Sequence, residues 1–323
     1  MEKALKNKLS RLQGLLHTYG RAAVATGRDA LIPREPRMVG VAFSGGVDSS
    51  LLLRVACDTL GPENVTALHA VSCLIPLADQ IKAEALVTGS DGLRCSYLAV
   101  KIHPLRWREF VANSEQRCYF CKKRIYSAFQ RELRRVPFGP LGTPLTGTHV
   151  SSGVIPVAHE IKPSLACTSK TGDCMPCSIL LDGTNSDDLH KHRPGLQAVR
   201  ELLVKTPLAE AQLNKKDIRL LARHVGLTNW NQPSNSCLAT RIPVDQKITM
   251  PLLRRIELAE HFLQEKGFLG CRVKPGQDSI VIQVLHSDLQ KMEVLSLRFE
   301  MIRFLEDLGF TEVPLEIQGH KKS

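Results

Sequence analysis

No apolar run in the 323-residue sequence approaches the ~18 residues a membrane-spanning helix needs, so a bilayer span is excluded. The N-terminus, MEKALKNKLSRLQGLL, is basic and amphipathic but has neither a long apolar core nor a small-residue cleavage site. It does not read as a secretory signal, and a cytoplasmic protein is expected. Acidic residues are in deficit: 32 Asp and Glu stand against 43 Lys and Arg, a formal net charge of +11. Such a balance favours a polyanionic partner, whether nucleic acid, a membrane surface or a phosphorylated small molecule. The 43% hydrophobic and 23% charged fractions exclude disorder, collagen and coiled coil as overall descriptions. The length suggests two domains. Ten cysteines without an export signal point to thiol, metal or redox chemistry, not to a disulfide framework.

Along the chain, residues 1–37 read as an amphipathic helical segment, with Leu5, Leu9, Leu12, Leu15 and Leu16 at helical spacing before Pro33 and Pro36. Apolar runs at 38–43, 65–71, 94–102 and 179–181, separated by helix-length stretches, predict a parallel sheet with crossover helices. Residues 137–178 interrupt this pattern. They are rich in Pro, Gly, Ser and Thr and read as a long, partly disordered surface insertion. From residue 246 a smaller α+β domain is expected: helix 252–266, strands 271–274 and 280–285, helix 289–308 and strand 313–317.

Between the first strand and its helix lies Ser44-Gly45-Gly46-Val47-Asp48-Ser49. Glycines let backbone approach a ligand, and the free N–H groups of a helix N-terminus suit a phosphate. Ser44 and Ser49 can add hydroxyl donors, and Asp48 can act on a metal or cap the helix. The Lys-Ser/Thr pair of a Walker A loop is absent, and so is G-x-G-x-x-G. The string resembles the PP-loop of the ATP pyrophosphatases. That resemblance implies a Rossmann-like α/β fold over residues 38–245, adenylation of a substrate oxygen with release of pyrophosphate, and Mg²⁺ to offset phosphate charge.

Three further strings follow in order: Arg117-Cys118-Tyr119-Phe120-Cys121-Lys122-Lys123, Asp182-Gly183-Thr184-Asn185-Ser186-Asp187-Asp188 with Arg193-Pro194-Gly195, and Ser236-Cys237-Leu238-Ala239-Thr240-Arg241-Ile242-Pro243. Together with SGGVDS they resemble the LarE family of sulfur transferases, over about residues 38–136 and 179–285. The resemblance implies conversion of pyridinium-3,5-biscarboxylic acid mononucleotide to its bisthiocarboxylic form, for the nickel-pincer cofactor of lactate racemase. ATP would be held by Ser44, Gly45, Gly46, Val47, Asp48, Ser49, Gly183 and Asn185. Catalysis would rest on Asp48 and Cys237. In one branch of the family the S-C-L-A cysteine gives up its sulfur and is left as dehydroalanine. In another it joins a C-x-x-C pair around a [4Fe-4S] cluster, here Cys118, Cys121 and Cys237. The C-x-x-C spacing on one helix suits cluster ligation, and three thiolates would leave one iron free, so the cluster is the favoured expectation.

Arg193, Arg272 and Lys274 are the expected contacts to the substrate phosphate. Lys274 stands where the family pattern has a second Arg, losing the bidentate fork, and Gln283 where it has Glu. Cys167, Cys174 and Cys177 fall in the insertion, where metal binding and incidental thiols are both open. Cys57, Cys73, Cys95 and Cys271 read as core residues. A tRNA thiolase and a non-enzymatic nucleotide-binding regulator are the competing readings. Nucleic acid is not the expected partner, since no RNA-binding module is recognisable, and a homo-oligomer is expected.

Overall fold

The computed structural model describes residues 2–21, 38–135, 178–191, 193–233, 236–276, 280–310 and 315–320. The 22–37 link and the insertion with Cys167, Cys174 and Cys177 lie outside the described residues. Four parallel strands, β1 (Met38–Ala42), β2 (Val65–Val71), β3 (Ser96–Lys101) and β4 (Ser178–Asp182), pair in the order β3-β2-β1-β4. The chain steps from β1 to β2 and β3 on one side, then returns to place β4 on the other. That reversal makes a crevice beyond the carboxyl ends of β1 and β4, where open α/β sheets bind ligands. The expected Rossmann-like parallel sheet is present.

Period-2 alternation sends each strand's residues to two cores. Val39, Val41, Val65, Ala67 and Leu181 point to one side. There they meet α1 (Lys3–Arg21), α2 (Val47–Leu60) and, later in the chain, α9 (Lys215–His224), through Leu12, Leu16, Leu52 and Leu221. Met38, Ala42, Leu68 and Leu180 point to the other side, onto Tyr126, Phe129 and Leu133 of α5 (Arg117–Leu133). Burying such side chains stabilises the fold by about 1.5–3 kcal/mol each. Gly40 permits this packing, since a Cβ there would lie 2.6 Å from a Leu133 methyl. Shorter elements complete this part: α3 (Leu77–Thr88), α4 (Arg108–Val111), α6 (Ser186–Leu189), α7 (Gly195–Glu201) and α8 (Pro207–Glu210).

The later unit has α10 (Met250–Glu265), β5 (Arg272–Pro275), β6 (Ile280–Leu285), α11 (Leu295–Asp307) and β7 (Leu315–His320). β5 pairs antiparallel and β7 parallel with β6. Its core also takes in Leu74, Phe110, Leu238, Ala239 and Ile242. One expected helix differs: 289–308 begins only at Leu295. Two 3₁₀ turns, His286–Asp288 and Gln290–Glu293, precede it, held by the Lys291–Asp288 pair at 2.7 Å and by burial of Met292. Apolar spacing carried the helix too far back, because i,i+3 turns bury the same residues. The last strand lies at 315–320 rather than 313–317.

Candidate active site

The loop after β1 turns on Gly45, at φ +74°. A Cβ there would also lie 2.8 Å from that of Ala83, so glycine is required twice over. Ser49 Oγ accepts from Ser44 N at 3.2 Å and donates to Gly46 O at 3.0 Å, while the Ser44 and Ser49 hydroxyls meet at 3.2 Å. Asn229 clamps the loop from outside, its Nδ2 donating to Gly45 O at 2.9 Å and Ser50 Oγ at 2.8 Å. No side chain caps the N-terminus of α2, so its first N–H groups remain open to an anion. Asp48, in that first turn, pairs with Lys215 Nζ at 2.6 Å through Oδ2, and its Oδ1 is buried without a partner.

Two cavities meet at this point. One, of about 590 Å³, is lined by Ser44, Gly45, Gly46, Val47 and Asp48, with Cys237 on its wall. The second, of about 810 Å³, is lined among others by Cys118, Asn185, Asp187, Arg193 and Arg272. Asp48, Lys215 and Ser236 belong to both. A ligand with a phosphate chain in the first and an anionic body in the second would have its junction over the Asp48–Lys215 pair.

The thiols converge from two elements. Cys118 is exposed and Cys121 half-buried on α5, and Cys237 leads into the turn Leu238–Arg241. Burial pushes the Cys121 thiol up to about 12, with the charges of Cys237 and Cys118 adding to it. Burial likewise raises Cys237, against the pull of Arg117 and Arg241. Among the described residues, however, no group of three or more His, Cys, Asp or Glu could hold a metal ion. The three cysteines share a neighbourhood without forming a ligand set.

The Cys237 turn is anchored by a buried ion pair. Arg241 donates two parallel hydrogen bonds to Glu260, Nε to Oε1 at 2.8 Å and Nη2 to Oε2 at 2.9 Å. Its Nη1 reaches back to Ser236 O at 2.8 Å and Cys237 O at 3.3 Å. Glu260 also accepts from Val273 N at 2.9 Å, which ties β5 to the same turn. From the other side, Arg117 donates to Ala239 O at 2.9 Å.

The loop after β4 is fixed in a similar way. Asp182 accepts from Thr184 N at 2.7 Å, from the Thr184 and Tyr126 hydroxyls, and pairs with Lys122 at 3.1 Å. Burial alone would raise its carboxyl, but Lys122 and these bonds outweigh it and hold it below the usual range. Gly183 lines neither cavity. A Cβ there would lie 3.1 Å from Ser49 N, so this glycine brings the loop against the first turn of α2. Asn185 reaches the second cavity while its side chain accepts from Asp188 N as the cap of α6.

Arg193 lines the second cavity and pairs with Asp188 at 3.0 Å. Arg272 and Lys274 are half-buried on one face of β5. Burial and Arg241 lower the Arg272 guanidinium; burial, Arg272 and Arg241 lower the Lys274 ammonium. Only Arg272 lines the cavity. Of the four cysteines read as core, Cys57 and Cys271 are buried and Cys73 and Cys95 half-buried. Sequence reasoning missed Lys215 and Asn229. Lys215 opens α9 behind the Asn214–Asp217 capping box, a readable N-x-x-D signal, but nothing local aims it at Asp48. Asn229 carries no local signal.

A glycine loop at the switch point of a parallel sheet, opening on a cavity with a thiol on its wall, defines a Rossmann-like α/β protein whose fold is consistent with the PP-loop domain. No family model matches the chain. It is 30% identical to the uncharacterized protein slr1717 of Synechocystis sp. over 284 residues, 87% of this chain and 89% of that one. It is 28% identical over 302 residues to the pyridinium-3,5-bisthiocarboxylic acid mononucleotide synthase of Lactiplantibacillus plantarum, covering 93% and 94%. The uncharacterized protein MJ0830 of Methanocaldococcus jannaschii is similar at 23% over 281 residues, 87% and 90% of the two chains. The chain belongs to the LarE family.

Proposed function

We propose that this protein is an ATP-dependent sulfur transferase that converts a pyridinium biscarboxylate mononucleotide to its bisthiocarboxylate. The observation that carries this reading is the junction of the two cavities at Asp48, Lys215 and Ser236, with the Cys237 thiol alongside. The name of the Lactiplantibacillus plantarum relative supports it.

The triphosphate would lie on Ser44, Gly45, Gly46, Val47 and Ser49 at the N-terminus of α2, where the helix dipole favours negative charge. Asp48, with its buried unpartnered Oδ1, would hold Mg²⁺, which supplies charge neutralisation at the phosphates. Arg272 and Arg193 on the wall of the second cavity, with Lys274 on the same face of β5 as Arg272, would take the substrate phosphate. A substrate carboxylate oxygen attacks the α-phosphorus, the α–β bridging bond breaks, and pyrophosphate leaves. The Cys237 thiolate then attacks the acyl carbon and AMP leaves, giving a thioester. Loss of the Cys237 Cα proton and cleavage of its Cβ–S bond release the thiocarboxylate and leave dehydroalanine. Burial keeps the Cys237 thiol raised, so its proton leaves as the attack begins, and Arg117 and Arg241 stabilise the thiolate that forms.

A [4Fe-4S] cluster on Cys118, Cys121 and Cys237 is the second reading, supported by the mutual influence of the three thiols on Cys121. Among the described residues the three thiols as they stand do not make up a ligand set for a cluster, so the sulfur step is written on Cys237 itself. One experiment separates the two. Anaerobically purified protein is assayed for iron and sulfide, reacted with ATP and the biscarboxylate mononucleotide, and weighed. Pyrophosphate release with dehydroalanine at position 237 supports the proposal. An iron-bearing protein that turns over with Cys237 intact replaces it with the cluster reading. Absence of pyrophosphate release overturns both.

A further inference from the structure

On the far side of α5 lies a third cavity, about 660 Å³, bounded by the residues after β3, α4 and the outward face of the helix. Five Lys or Arg side chains line it against one carboxylate, Glu109. Two of the cations are already engaged. Lys123 pairs with Glu201 at 2.8 Å, and Arg124 pairs with Glu109 at 3.0 Å while covering the Trp107 ring. The side chains of Lys101, Arg106 and Arg131 make no hydrogen bond or ion pair among the described residues. Three like charges around one concavity repel each other, and an anion seated among them removes that cost. Tyr119 and Phe120, half-buried and edge to face at 5.3 Å, give the same cavity an apolar wall.

The geometry points to this cleft as a second nucleotide site, one that takes a nucleoside polyphosphate with its phosphate chain among Lys101, Arg106 and Arg131. From Phe120 to Arg131 the helix rises about 16 Å, too far for a single phosphate to span and suited to a nucleoside with a phosphate chain. The volume falls within the range of small-molecule sites. A nucleic-acid strand is disfavoured because Glu109, Glu132 and Glu201 interrupt the cations along and around the helix. This cleft is separate from the PP-loop cavity, and the two share no lining residue.

Calorimetric titration of the full chain with ATP, repeated with inorganic tripolyphosphate, tests it. Two binding events are expected for the native protein. Arg106→Ala with Arg131→Ala should weaken one of them roughly a hundredfold, since each removes a charge-assisted contact, and leave the other unchanged. Gly46→Asp should do the reverse, so loss of the PP-loop event and loss of the cleft event are read separately. Pyrophosphate release by the Arg106/Arg131 variant reports on the proposed reaction independently. One binding event in the native protein, or two that survive in the Arg106/Arg131 variant, overturns the inference. So does an oligouridylate that binds the cleft more tightly than ATP. Should the double variant fail to fold, as read by its circular dichroism, Lys101→Ala replaces it, and the native stoichiometry still decides.

Discussion

Adjacent residues of α5 live in opposite circumstances. On its inner side Arg117 is bonded to Ala239 O and to Asn113, and Lys122 to Asp182, so these cations are fixed to backbone and buried carboxylate. On its outer side Lys123 and Arg124 pair with exposed glutamates, and Arg131 pairs with nothing among the described residues. The same residue types thus do two kinds of work. Inside, a low dielectric makes each pairing strong and its loss expensive; outside, water and salt screen it, and the charge stays available to a ligand. Along α5 the positive charge is therefore not one field but two populations, one structural and one open.

The sharpest break in this comparison comes from the ion pair beneath the Cys237 turn. Arg241→Met should destabilise the protein by about 3–5 kcal/mol in urea unfolding, because it leaves Glu260 buried and uncompensated. Adding Glu260→Leu should recover much of that loss. If the single variant unfolds like the native protein, the pair is not the anchor of the turn. Lys122→Ala, on the inner face of α5, should cost about 2 kcal/mol by stripping Asp182 of its cation.

The acid limb sharpens the same point. Asp182 is held below its unfolded value, so its contribution is complete above about pH 4 and is lost as pH falls through the folded value. The stability gap between native protein and Lys122→Ala should accordingly narrow below about pH 4; a constant gap down to acid unfolding would mean that Lys122 does not set that carboxyl. In alkylation followed by peptide mass mapping at neutral pH, exposed Cys118 should react before Cys121, whose thiol is pushed up to about 12. The smallest effect belongs to the outer face: Lys123→Ala should leave the unfolding midpoint where it was, since its partner Glu201 is solvated.

Much of this site was legible beforehand, and the parts that were not share a cause. SGGVDS announced its place because the signal is local: a strand, a glycine that must take φ +74°, and a helix N-terminus follow one another in the chain. Arg272 and Lys274 were placed on one face by period-2 alternation alone. Lys215, 167 positions from the aspartate it holds, could not be found that way. Asn185 and Gly183 stood out by their motif; only the structure adds that Asn185, on the wall of the second cavity, also caps α6 and that Gly183 admits a close backbone approach.

The sequence by itself determined the parallel sheet, the glycine loop, the excess of positive charge and the family likeness, because periodicity, turn chemistry and composition act over a few neighbouring residues. Only the tertiary structure decided which cations are spent and which are free, that two cavities meet over Asp48, and that α5 separates the Cys237 site from a second basic cleft. Those outcomes depend on side chains brought together from distant stretches and on how far each is withdrawn from water, and both are settled when the cores close.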